Sequence, residues 1–286
     1  MSLTASGAPP SRGYAAARAS SSSFWLQATV VVLSVGAIAF LVLPLGVLCL
    51  TTLEHHHILA SSHFARYVMP ALRLSLLSSS LATAVVVLFG GALGLFLARN
   101  EFPGKSVIDT AIDLPMVLPP MVSGLALLLI FGRNGSIGSL LLPYGIRLTF
   151  TTTAVVLAQI FISLPFFVRA ARSAFESVDH RLEIASLTLG GSKSRTLFKV
   201  TLPLIWPMLL AGVVLAWARC LGEFGATIVV AGNFEGVTQT MPLAIFGALQ
   251  TDMHIAVMLS VILLVVSFTI VMLIKLLLGR KGAFNA

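Results

Sequence analysis

Leu182-Glu183-Ile184-Ala185-Ser186-Leu187-Thr188-Leu189-Gly190-Gly191-Ser192, with Phe198-Lys199-Val200-Thr201-Leu202-Pro203 and Trp206-Pro207 close behind, is the stretch on which the reading of this chain turns. It lies in a basic segment, Arg169 to Pro207, between long apolar runs. Its pattern is helical, and proline pins the start of the run that follows. A loop so built looks made to be gripped by a partner in the cytoplasm.

The flanking runs say what the grip would move. The 286 residues are 57% hydrophobic and only 10% charged, with a mean hydropathy of +1.01, which excludes an ordinary soluble domain. Runs long enough to cross about 30 Å of hydrocarbon as helices fall at 24–52, 68–98, 111–131, 150–168, 202–232 and 255–278, predicting an all-α membrane protein of six spans. The first run is too long for a signal-peptide core and lacks a small-residue cleavage site, so it reads as an uncleaved span. Residues 1–23, rich in Ser, Ala and Gly, read as a disordered cytoplasmic tail, 24–67 as the first span and its outer loop, and 280–286 as a second cytoplasmic tail.

Cytoplasmic loops retain Lys and Arg, and that rule orients the chain. With both termini inside, inner segments hold Arg12, Arg18, Arg99, Lys105, Arg169, Arg172, Arg181, Lys193, Arg195, Lys199, Lys275, Arg280 and Lys281; outer loops hold only Arg66, Arg133 and Arg147. The same asymmetry accounts for the net charge of +8 without nucleic acid, because the basic residues sit at membrane edges. Cys49 and Cys220 fall within spans and read as packing residues. His55-His56-His57 and His63 read as a solvated rim, since adjacent histidines on a helix cannot all face one ion; no metal site is expected.

Within the spans, Pro44 is expected to kink the first, and Gly90 and Gly94 to permit close helix approach. Ser75, Ser78, Ser79 and Ser80 either bond back to their own helix or line a polar path. Pro115, Pro119 and Pro120 predict an irregular entry to the third span, which makes Ser123 and Gly124 candidates for a translocation path, with plain packing as the other reading. Arg219 and Glu223, four residues apart on one helix face, are either functional or a buried pair fixing a bend before Gly222, Gly225 and Gly232. Thr240 to Phe246 is amphipathic and is expected at the outer interface.

Leu182 to Pro207 resembles the EAA loop of permease subunits of bacterial ABC importers. Gly190 matches its central glycine and Leu202-Pro203 its closing pair; by spacing from Gly190 the family's glutamate position holds Ile184, with Glu183 one residue earlier. Leu118 to Gly124 with Phe131-Gly132-Arg133-Asn134-Gly135 is similar to molybdate permeases, and Ala218 to Thr227 with Ala231-Gly232-Asn233 to sulfate, molybdate and tungstate permeases. Thr240 to Ile245 leans toward the molybdate and tungstate branch.

That resemblance implies the type I importer fold, with 68–279 as the permease domain. It implies a homodimer in the bacterial inner membrane, two cytoplasmic ABC ATPase subunits below and an extracytoplasmic oxyanion-binding protein above. Glu183, Ile184, Ala185, Gly190, Leu202 and Pro203 become the ATPase-coupling residues, on a short helix near 178–189 that ends in a sharp turn at Gly190. Through Pro203 and Pro207 that helix is expected to swing span five. The translocation path is expected at Ser78, Ser123, Gly124, Arg219, Glu223 and Thr227, with Ser78, Ser123 and Thr227 as hydroxyl donors. Arg73, Arg133 and Arg147 read as an electropositive mouth or as snorkelling rim residues.

Independently, the chain lacks the Gly-x-x-x-x-Gly-Lys-Ser/Thr phosphate loop, so ATP would be used by a partner and no cofactor is expected on this chain. No catalytic residue is expected, because no span carries a histidine base beside a nucleophile. A sulfate or thiosulfate permease is the alternative from the same class. An ion-coupled secondary transporter would show inverted repeats and unpaired midplane charges, and neither is found.

Overall fold

The computed structural model describes residues 12–54 and 62–279. Its helices, in chain order, are α1 (Arg12–Glu54), α2 (Ser62–Arg99), α3 (Lys105–Val117), α4 (Pro120–Phe131), α5 (Gly138–Leu141), α6 (Thr152–Glu176), α7 (His180–Thr188), α8 (Lys193–Thr196), α9 (Leu202–Leu221), α10 (Gly225–Ala231), α11 (Met241–Leu249) and α12 (Met253–Gly279). A 3₁₀ turn, Leu142–Tyr144, follows α5, and a π turn, Leu197–Thr201, joins α8 to α9. The chain divides into two compact units, 1–54 and 55–286.

The first unit is α1, which runs through Pro44 as continuous helix. Residues from Arg12 onward, expected as part of a disordered tail, continue that helix, in keeping with the high helix propensity of Ala15, Ala16, Ala17 and Ala19. Residues 1–11, the histidines at 55–57 and the tail 280–286 lie outside the described residues.

In the second unit, α2, α6 and α9 form the centre, around Val86, Phe167, Ala171, Ala174, Phe175, Ile205, Leu209 and Ala216. Gly90 and Gly94 face α6 at Phe167 and Ala171, as their spacing predicts. A second cluster joins α4, α6 and α10, and a third joins α2, α11 and α12. Small side chains fill these seams: Ala82, Ala158, Ala171, Ala174, Ala216 and Ala226 are all 0% exposed, whereas Leu77, Leu88, Phe89 and Leu129 are mostly exposed. Lipid is as apolar as leucine, so helices associate here through close packing rather than through escape of apolar surface from water.

Among the described residues five helices are long and apolar enough to cross a membrane, and the pair α3 and α4 makes a sixth if it is one bent span. The third span is broken by 112° between Val117 and Pro120, at the irregular entry that its prolines predict. Pro119 and Pro120 lack the N–H groups that would continue α3, and Leu118 before them is extended (φ −68°, ψ 138°).

The fourth span runs eight residues past Val168, to Glu176, and the fifth helix begins at Lys193 rather than Leu202. The long basic loop is therefore mostly helix, leaving 177–192 between the two. Hydropathy marks the lipid-facing part of a helix and is blind to where it continues beyond lipid. The fifth span also ends at Leu221, and a break at 222–224 separates α9 from α10. Finally, α11 is closely packed: Met241, Leu243 and Ala244 are fully buried, and Met241 donates its backbone N–H to Ser75 Oγ at 2.7 Å.

Candidate coupling helix and translocation seam

Helix α7 begins where Asp179 accepts a hydrogen bond from the Arg181 N–H at 2.9 Å, satisfying one of the orphan donors of a helix start. At its other end Gly190 N–H bonds to Leu187 O (3.0 Å) and Gly191 N–H to Ser186 O (2.9 Å), the paired bonds of a Schellman motif. Gly190 has φ +85°, so the expected sharp turn is present and uses the left-handed conformation that glycine adopts without penalty. Ser192 then caps α8, accepting from the Arg195 N–H at 3.3 Å.

The two faces of α7 differ. Ile184 is 50% exposed and Leu189 89% exposed, with Leu182 and Ala185 also exposed. Glu183 turns the other way, with its side chain 14% exposed. Its Oε1 accepts from Arg99 Nη2 at 2.5 Å and from Thr201 Oγ1 at 2.7 Å, and its Oε2 lies 3.4 Å from His180 Nδ1. Ile184, at the family's glutamate position by spacing, therefore points outward, while the carboxylate one residue earlier faces the bundle. One turn on, the hydroxyls of Ser186 and Thr196 are 2.8 Å apart.

Leu202 is half-buried against the central cluster, and Pro203 is exposed in the first turn of α9. Proline at 203 cannot donate to the carbonyl of Lys199 and its ring crowds that turn. The preceding backbone widens accordingly, and Leu202 N–H reaches back five residues to Leu197 O.

Ser123 and Gly124 on α4 and Thr227 on α10 belong to two helices that pack closely on each other. Gly124 is in close approach: a Cβ there would stand 2.7 Å from Ala226 O and 2.8 Å from Ala226 Cα. Ser123 and Thr227, both 0% exposed, have hydroxyls without a hydrogen-bond partner. Glu223 is 1% exposed; one oxygen pairs with Arg219 Nη1 at 2.8 Å and the other accepts the Ala226 N–H at 2.8 Å, capping α10 across the break. Ser78 is buried but bonds back to Ser75 O at 3.4 Å, on its own helix. Arg73, Arg133 and Arg147 are exposed.

Sequence reasoning passed over Asp109 and Asp113 on α3. Arg172 bonds to Asp109 (2.8 Å) and Glu176 (2.7 Å), and Arg169 clasps Asp113 with two nitrogens, so α3 is held to α6 by charge. Two acids four residues apart on one face of α3 were the available signal. Gln159 was also passed over; it is 1% exposed with an unpartnered Oε1. No group of three or more potential metal ligands occurs among the described residues.

The family model described as "Binding-protein-dependent transport system inner membrane component" matches residues 90–281. The molybdenum transport system permease protein ModB of Escherichia coli is 46% identical over 182 residues, 63% of this chain and 80% of that protein. The molybdate/tungstate transport system permease protein WtpB of Thermococcus kodakarensis is 33% identical over 246 residues, 86% of this chain and 93% of that protein. Among solved structures, a bacterial ABC transporter involved in import of the acidic polysaccharide alginate shares the fold, with a TM-score of 0.71 at 17% identity over 90% of this chain and 96% of that one.

Proposed function

Because the chain belongs to the inner-membrane components of binding-protein-dependent transport systems, we propose that it is the permease subunit of an ATP-driven importer of molybdate or tungstate. It works as a homodimer, with both termini in the cytoplasm, two copies of a separate ABC ATPase docked on the cytoplasmic face and an extracytoplasmic oxyanion-binding protein delivering cargo. The observation that carries this reading is α7: a short helix, capped at both ends, that presents Leu182, Ile184 and Leu189 to solvent while remaining tied to the start of α9. An exposed apolar face on a cytoplasmic helix wants a protein groove. The relatives named for molybdenum and for molybdate/tungstate support the substrate.

In this mechanism, closure of the ATPase pair carries α7 with it and alternates the access of a path lined at the α4–α10 seam. The unpartnered Ser123 and Thr227 hydroxyls are suited to a tetrahedral dianion, since neutral donors bind it without the trapping that a full counter-charge would cause. Arg219 is neutralised by Glu223 and serves the helix break instead. Hydrolysis of ATP belongs to the partner subunit.

The test is ATP-dependent uptake of radiolabelled molybdate by proteoliposomes holding the permease, its ATPase and its binding protein. Competition by tungstate and indifference to excess sulfate are expected. Sulfate uptake exceeding that of molybdate would reassign the substrate, and uptake driven by an ion gradient without ATP would remove the class.

A further inference from the structure

The exposed face of α7 addresses the ATPase; its inner face raises a separate question, namely what carries motion of α7 into the membrane helices. We infer that Glu183 is a positioning residue that couples α7 to the end of α2 and to the π turn opening α9, so that displacement of α7 reaches α9 through side chains as well as through the Gly190 turn. This rests on the reading of α7 as the ATPase-facing helix.

Packing at this joint is sparse. Helix α7 buries no residue, and a cavity of about 580 Å³ lies between it, α2 and the π turn, lined in part by Arg99, His180, Glu183, Lys193 and Thr201. A push across a gap is transmitted only by what spans it. Glu183 spans it, with Arg99 at 2.5 Å and Thr201 at 2.7 Å on the same oxygen. Charge-assisted bonds of this length are short and directional, so they hold geometry as well as energy. The Ser186–Thr196 contact adds a second tie to the same base.

Thr201 is the informative partner. It closes the π turn and is 1% exposed, so its hydroxyl must find an acceptor within the protein, and the Glu183 carboxylate is that acceptor. A π turn is a local fault in helix register and a natural point of adjustment. Fastening it to α7 makes α7, the π turn and the base of α9 move as one body. Without the fastening, α7 moves on the short connections at 177–179 and 189–192 and α9 lags behind.

The experiment uses the assembled complex in proteoliposomes and reads two quantities: co-purification of the ATPase and the number of ions imported per ATP hydrolysed. Glu183→Gln is expected to keep the ATPase bound while the transport ratio falls at least fivefold. Thr201→Val, which leaves the Arg99 pair intact, is expected to lower the ratio by a smaller factor. The double swap Arg99→Glu with Glu183→Arg is expected to recover much of what either single change loses, an outcome that mere loss of bulk would not produce. Full coupling in Glu183→Ala, or loss of ATPase binding in Glu183→Gln, overturns the inference, the latter because it makes the carboxylate a docking contact. Leu189→Asp separates the two levels: it is expected to release the ATPase, and retention of a fully coupled ATPase would overturn the docking role of α7 itself.

Discussion

Two arginine–glutamate pairs sit at different levels of this protein, and they are built for different work. Arg219–Glu223 is local, four residues apart, closing a helix break, and its carboxylate is 1% exposed with both oxygens engaged. Arg99–Glu183 joins residues 84 apart, and its side chains are 28% and 14% exposed. The first holds one element in shape, while the second holds separate elements together. Their loss should therefore appear in different measurements, stability for the former and coupling for the latter. The largest expected effect is Glu223→Ala, which strands the Ala226 N–H and leaves Arg219 without its counter-charge at a partly buried site. Breaking a buried pair from one side costs about 3–5 kcal/mol, so the purified variant should show a markedly lower Tm, whereas Glu183→Gln should unfold close to the parent. Equal melting of both variants would erase the distinction.

Two glycines sharpen the same contrast. At Gly124 the constraint is space, because a Cβ meets backbone of α10 that no rotamer change can move aside. Gly124→Val should force α4 from α10 at a cost of about 1–3 kcal/mol, lowering Tm and uptake together. At Gly190 nothing lies within 4 Å of a built Cβ, and the constraint is φ +85° alone. Gly190→Val should cost about 1–2 kcal/mol locally, with normal membrane insertion but reduced uptake and reduced stimulation of the ATPase. Full uptake and full stimulation would show that the turn's geometry does not matter to coupling.

How much of this was legible beforehand depends on the range of the physics involved. The Gly190 turn, the break at Pro119 and the close approach of Gly90 and Gly94 to a neighbour are effects of backbone chemistry within a few residues, and the residue types announce them. The number of spans is likewise a matter of length and apolarity. The Arg99–Glu183–Thr201 triangle is not local, and nothing near Glu183 indicates an arginine 84 positions earlier. Nor could composition say which faces pack, since helices apolar on every side carry no amphipathic signal. Of the two readings open for Ser78, the bond back to its own helix is present. The true start of the fifth helix, at Lys193, was hidden by the charges at Lys193, Arg195 and Lys199, which interrupt hydropathy without interrupting helix.

A third pair provides the smallest effect and the lower limit of the comparison. Asp113 is clasped by Arg169 across α3 and α6, but the arginine side chain is 61% exposed. Solvent and salt screen such a pair, and exposed pairs contribute at most about 1 kcal/mol. Asp109 with Arg172 also holds α3 in place, so removal of one clasp leaves the other. Asp113→Asn should thus change Tm only slightly, and raising the salt concentration should shrink even that difference. Asp109→Asn with Asp113→Asn should do more than the two singles summed, because α3 buries no residue and has little else to hold it. Strict additivity, measured as the Tm of the four proteins at low and high salt, would mean that packing of the bend at Leu118 and Pro119 positions α3 and that its charges are ornamental to the fold.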